Sequence, residues 1–112
     1  MNRTISTDLP LGAGADSDLE FIQAGELHVF PEEFAVFLKG QRIEMPFKEF
    51  RLIVLLAQNY GRVVTRKRIV DEVWDGDAPG RTVDVHMARL RSRLPEGAIQ
   101  TIVKVGYRLV AR

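Results

Sequence analysis

The sequence contains no cysteine, two histidines and no apolar run near the roughly 20 residues of a membrane span. Without cysteine there is no disulfide scaffold and no Cys-ligated zinc or iron–sulfur site. His28 and His86 have no carboxylate helpers at metal-ligand spacing, so no metal and no cofactor is expected. No apolar h-region opens the chain, so no signal peptide is visible, the default compartment is the cytosol, and no membrane partner is expected. Catalytic constellations are missing too. There is no Cys nucleophile, and Ser92 has no base within reach of its local spacing. Asp84 and His86 stand two apart on a helical stretch, where side chains face apart and form no relay. The chain does not read as an enzyme. Gly12-Ala13-Gly14 has no strand before it and no clear helix after it, so it reads as linker rather than a phosphate loop.

What remains is an ordinary globular composition, 46% hydrophobic and 28% charged, in a chain of 112 residues. That length suits one domain, with a core large enough to stand without staples. The net charge of +1 conceals an uneven distribution. Residues 1–60 carry five basic against nine acidic side chains, a balance of −4, and residues 61–112 carry eleven against six, a balance of +5. A basic half suits a polyanionic partner.

Residues 1–18 hold no helical or strand period and read as a flexible tail or linker, with the folded domain over 19–112. From Leu19 to Met45, apolar residues alternate at Phe21, Leu27, Val29, Val36, Leu38, Ile43 and Met45. Turn candidates fall at Ala24-Gly25, at Phe30 to Glu33 and at Lys39-Gly40-Gln41, giving up to four strands joined as an antiparallel sheet. His28 in such a strand reads as a surface or edge residue. The period then becomes helical over 47–59, with Phe47, Phe50, Val54 and Ala57 on one face, widened by Ile53 and Leu56. Val63-Val64 is a short extended step. Thr65 is a good N-cap for a second helix from Arg66 to about Trp74, with Ile69, Val70, Val73 and Trp74 as its apolar stripe. A third helix spans about 81–94, ending before Pro95. Strands at Ile99–Val103 and Tyr107–Val110 flank a hairpin tip at Lys104-Val105-Gly106. Strands, three helices and a hairpin make an α+β order.

The third helix is the informative segment. Val83, Met87, Leu90 and Leu94 form a core stripe. Opposite lie Val85, Ala88, Arg89 and Ser92, with Arg81 nearby. Thr82, His86 and Arg93 line one flank, and Asp84 and Arg91 the other. Small apolar groups beside an arginine suit a DNA major groove, where they meet thymine methyls while arginine grips guanine O6 and N7. The flanking cations are placed for phosphates, which fix register. The alternative for this face is solvation alone. Arg66, Lys67 and Arg68 occupy the second helix's first turn, where the helix dipole is already positive, and an anion in front of them would relieve that conflict. Arg66→Ala is then expected to weaken binding to any duplex alike. Screened, solvated charges would serve equally.

These residues resemble the OmpR/PhoB-type winged helix-turn-helix effector domain of response regulators. The stretches carrying the resemblance are Arg62-Val-Val-Thr-Arg66, Val73-Trp74, Arg81-Thr-Val-Asp-Val-His86, Arg89-Leu-Arg91 and Gly106-Tyr-Arg108, with Phe47-Lys-Glu-Phe50 at the first helix. The resemblance implies an N-terminal four-stranded antiparallel sheet, a three-helix core and a C-terminal β-hairpin wing. It implies sequence-specific binding to double-stranded DNA, often by two copies head-to-tail on direct repeats. By position it implies base contacts from Val85 and Arg89, which Ala88 joins on the same outward face. Backbone contacts fall to Arg66, Trp74, Arg81, His86, Arg91 and Arg108, and the flanking Thr82, Arg93 and Lys104 are placed with them. For Trp74 an indole at a helix end also fits the core, with its N–H exposed. A winged helix can instead use the same face, here Val85, Ala88 and Met87, on a protein partner.

The chain departs from the family pattern at four places. Met87-Ala88 replaces a stretch with a second basic residue, and Val103 replaces the arginine commonly sent into the minor groove. The loop from Trp74 to Arg81, which in the family can contact RNA polymerase, is about two residues short. Pro46 stands where the first helix usually has a threonine cap, leaving Glu49 without half of a capping box. No receiver with its phosphoacceptor aspartate fits upstream of Leu19, so the chain reads as an excised effector domain or a receiver-less regulator.

Overall fold

Alternation at the N-terminal end produces four short strands: β1 (Ile22–Ala24), β2 (Leu27–Phe30), β3 (Ala35–Leu38) and β4 (Gln41–Arg42). They pair in sequence order as an antiparallel sheet, with Val29 opposite both Ile22 and Val36. The computed structural model describes residues 20–110, so the expected tail at 1–18 lies outside the described residues. The turn expected at Phe30–Glu33 is a 3-10 turn over Pro31–Glu33.

One sheet face, with Ala24, Leu27, Val29 and Val36, joins the main core. The other gathers Phe30, Ala35 and Phe37, with Phe21 packed against them. His28 stands beside Phe21, 5.4 Å between ring centres, and is buried rather than at a surface or edge. It lies on the second strand of a four-stranded sheet, and neither ring nitrogen has a partner among the described residues. Burial therefore pulls its pKa below the ordinary 6.5. The folded state resists a proton that the unfolded chain accepts. Stability is full above about pH 6.5 and declines as pH falls below it. Thermal midpoints measured from pH 7.5 to 5.5 are expected to fall in the wild type and to fall less in His28→Phe. Parallel curves would contradict this.

α1 (Phe47–Gln58) is buried on more sides than one stripe suggests. Leu52, Leu55, Leu56 and Ala57 are all in the core, whereas Phe47 is 57% exposed. The reason is position: α1 packs against the sheet on one side and against α2 (Arg66–Val73) and α3 (Thr82–Ser92) on the other. Pro46 is its cap residue, with no side-chain capping bond. Glu49, left without a capping partner, is instead 1% exposed and ion-paired to Arg93, with Nε of Arg93 2.6 Å from Oε1.

The step at Val63-Val64 is a full strand, β5 (Val63–Thr65), which pairs with the hairpin of β6 (Ile99–Ile102) and β7 (Gly106–Leu109) in the order β5-β7-β6. The wing is thus three-stranded and anchored to the chain entering α2. Thr65 caps α2, its Oγ1 accepting from the Arg68 N–H at 3.1 Å. Thr65 lies opposite Gly106, and a Cβ at Gly106 would stand 2.0 Å from the Val64 carbonyl oxygen. Gly106→Ala is expected to cost about 2 kcal/mol through this backbone clash. Amide exchange in β5 should rise well above that in α1. Wild-type protection in β5 would refute the clash.

Candidate nucleic-acid interface

α3 follows a loop that starts from Trp74 and ends at Arg81. Left-handed backbone at Asp75, Gly76 and Gly80 turns the chain sharply, and the Gly76 N–H bonds back to the Val70 carbonyl. Thr82 Oγ1 donates to the Pro79 carbonyl at 2.6 Å and steadies the start of α3. Val83, Met87 and Leu90 are fully buried, as their stripe predicts. Met87, offered above with Val85 and Ala88 as a contact patch, is 1% exposed and unavailable for one. Val85, Ala88, Arg89 and Ser92 are exposed on the outward side.

The cations around this helix divide into two groups. Arg81, Arg89 and Lys104 are exposed, and their side chains make no hydrogen bond or ion pair to any described residue. Lys104 is at the wing tip in left-handed backbone, φ 64°, between the exposed Val103 and Val105. The other cations already have partners. Arg93 serves the fold: besides Glu49, its Nη1 donates to the Glu44 carbonyl at 3.1 Å. Arg93, expected among the backbone contacts, is thus engaged within the fold by a carboxylate that would otherwise be buried unpaired. Arg91 donates to the Ile99 carbonyl and to Thr101, and its guanidinium lies over the Tyr107 ring, tying α3 to the wing. Arg108 donates twice to Gln100 Oε1 across the hairpin.

The three cations opening α2 are not bare either. Arg66 pairs with Asp84, Lys67 with Asp71 and Arg68 with Glu72. Acids one turn on, and one on α3, offset the dipole conflict without an external anion.

Asp84 and Tyr107 are the residues that local reading passes over. Asp84 Oδ1 accepts from Arg66 Nη2 at 2.8 Å and from the Tyr107 hydroxyl at 3.0 Å. The Arg66 guanidinium, then the Tyr107 hydroxyl, hold the Asp84 carboxyl below its ordinary range, and Arg81 adds attraction. Burial, then the bond to Asp84, pushes the Tyr107 phenol up, so it stays a donor at neutral pH. One carboxylate oxygen thereby joins α2, α3 and β7.

Trp74 is half-buried against His86, 5.2 Å between ring centres at 78°, and its N–H bonds to no described residue. His86 Nδ1 donates to the Thr82 carbonyl at 2.9 Å, which leaves Nε2 without a described partner. Among the described residues no three acidic or histidine side chains converge on a metal-sized site, and no helix is long and apolar enough to cross a membrane.

The architecture is an α+β winged helix-turn-helix: sheet, three-helix core and hairpin wing. Residues 40–109 match the family described as "Transcriptional regulatory protein, C terminal", and the chain belongs to that family, the OmpR/PhoB-type winged-helix DNA-binding domain of response regulators. It is similar to the regulatory protein VanRB of Enterococcus faecalis, 43% identical over 89 residues, which cover 78% of this chain and 40% of that protein. The chain thus spans under half the length of that relative. Among solved structures it is similar to the DNA-binding domain of CpxR from E. coli, with a TM-score of 0.74, 29% identity and coverage of 82% of this chain and 97% of that one. The Klebsiella pneumoniae RstA DNA-binding domain, solved in complex with the RstA box, gives a TM-score of 0.74 at 26% identity, covering 81% of this chain and 97% of that one.

Proposed function

We propose that this chain regulates transcription by binding double-stranded DNA sequence-specifically, with α3 in the major groove and the wing on the adjacent backbone or minor groove. The carrying observation is the outward face of α3: Val85 and Ala88 exposed beside Arg89, whose guanidinium has no partner among the described residues. Such a face can read base edges, and the free Arg81 and Lys104 at its borders suit phosphates. The Trp74 N–H is a further donor beside the helix, whereas the Thr82 hydroxyl and the His86 Nδ1–H already donate to the Pro79 and Thr82 carbonyls. The RstA DNA-binding domain, solved in complex with the RstA box, supports DNA binding by this fold.

Few cations are free, and Val103 stands where the family sends an arginine. Affinity of a single domain is therefore modest, and two copies bind head-to-tail on direct repeats. Contact with RNA polymerase would fall to the short loop over 75–80. The working compartment is the cytoplasm.

Selection of bound duplexes from a random pool tests the proposal. Enrichment of a motif, repeated in one orientation, is the expected result. A second reading, a protein-interaction module, is favoured by the exposed Val85, Val103 and Val105. No enrichment, together with no gel shift at micromolar protein and low salt, would replace the first reading with the second.

A further inference from the structure

The exposed Asp84–Arg66 pair has a use that stability does not explain. The side chains are 48% and 51% exposed, and such pairs contribute about 0–1 kcal/mol. Asp84 is the one acid on α3, which otherwise carries Arg89 and Arg91 with Arg81 at its cap. On a face that meets a polyanion, an acid is a cost. This one is also held in place by two donors, Arg66 and the Tyr107 hydroxyl, so it cannot swing aside freely. Tyr107 is itself fixed by β7, opposite Val64 of β5. Arg66 is held as firmly: its guanidinium lies 5.8 Å from the Tyr107 ring, and its backbone N–H bonds to the Val105 carbonyl.

We propose that Asp84 is a positioning residue that stands in for a DNA phosphate and withholds Arg66 from the backbone. This rests on the DNA-binding reading above. Without Asp84, Arg66 would add one sequence-independent phosphate contact at the edge of α3. With it, a larger share of the binding energy remains on the face that reads bases. Specificity, the ratio of operator to random-duplex affinity, is raised by restraining the term common to all sequences.

The test is binding of the whole chain to its selected duplex and to a random duplex across a salt series. Asp84→Asn is expected to bind random duplex on the order of fivefold tighter at 0.1 M salt, with a log–log salt slope steeper by about 0.9, one extra phosphate. The specificity ratio falls correspondingly. In place of the uniform weakening expected from sequence for loss of Arg66, Arg66→Met alone is expected to leave the slope nearly unchanged, because Asp84 already holds its guanidinium, and in the Asp84→Asn background to return it to the wild-type value. An unchanged slope in Asp84→Asn would overturn the proposal. So would a steeper slope that persists when Arg66→Met is added to Asp84→Asn, which would mark a general charge effect. In the wild type, the Arg66 side-chain NMR resonance should stay in place on adding random duplex, and a shift overturns the proposal even if the variants fail to fold. Absence of any wild-type binding at low salt would instead remove the DNA-binding reading itself.

Discussion

Arg93→Ala is expected to destabilise the domain by about 3 kcal/mol, lowering the thermal midpoint on the order of 10–20 °C. Glu49 is 1% exposed on the core side of α1, and Arg93 Nε is its ionic partner, 44 residues away. Truncating Arg93 leaves a carboxylate shut in without a counter-charge. Removing one partner of a buried pair costs about 3–5 kcal/mol. The lower end applies here because the Arg93 side chain is 34% exposed and water can partly replace it. Replacing both partners, Glu49→Leu with Arg93→Leu, should recover most of the loss, since a buried pair is often no better than an apolar one. Calorimetry of the two variants checks both statements. A midpoint for Arg93→Ala indistinguishable from wild type, accompanied by uniformly weaker DNA binding, would return Arg93 to the phosphate role that its position on the helix suggests.

Arg89→Ala is expected to act the other way, leaving the fold intact and removing discrimination. Its guanidinium is exposed and bonded to no described residue, so nothing in the fold loses a partner. On DNA, a bidentate arginine–guanine pair contributes about 1–3 kcal/mol of discrimination, which is roughly 5- to 150-fold in the operator-to-random ratio. Val85, one turn earlier on the same face, cannot substitute, because a methyl contact has no hydrogen bond to offer. Titrations against the selected and a random duplex at one salt concentration measure the ratio. A ratio equal to wild type would show that α3 does not read sequence through Arg89.

Local sequence pattern carried the elements well where one period governs. The Thr65 cap, the Val83–Met87–Leu90 stripe and the outward Val85–Ala88–Arg89 face all follow from neighbours within one or two turns. It read less well where a residue answers to elements on two sides. α1 is enclosed by sheet and helices, so Leu52 and Leu55 are as buried as the stripe that periodicity selects. Glu49 stands at helical spacing from Leu52, Ile53 and Leu56, and an acid in that company was the available sign of a buried ion pair. The short Val63-Val64 step gave no sign of its partner, because β5 completes its sheet with a strand near the far end of the sequence, Val63 opposite Arg108.

The absences and the charge segregation that sequence alone establishes hold without reference to the fold. Without cysteine the given chain forms no disulfide and offers no thiolate ligand wherever it folds, and the basic second half is a property of order. Which of those cations are free to act was decided only in three dimensions. Arg93 is neutralised by Glu49, Arg66 by Asp84 across 18 positions, and Arg91 is spent on the Ile99 carbonyl and the Tyr107 ring. Arg62, Arg81, Arg89 and Lys104 are left unpaired among the described residues. Coulomb attraction depends on distance through space, and hydrogen bonds need partners within about 3 Å. Helical period places a charge on a face, and tertiary packing determines whether that charge is already paired.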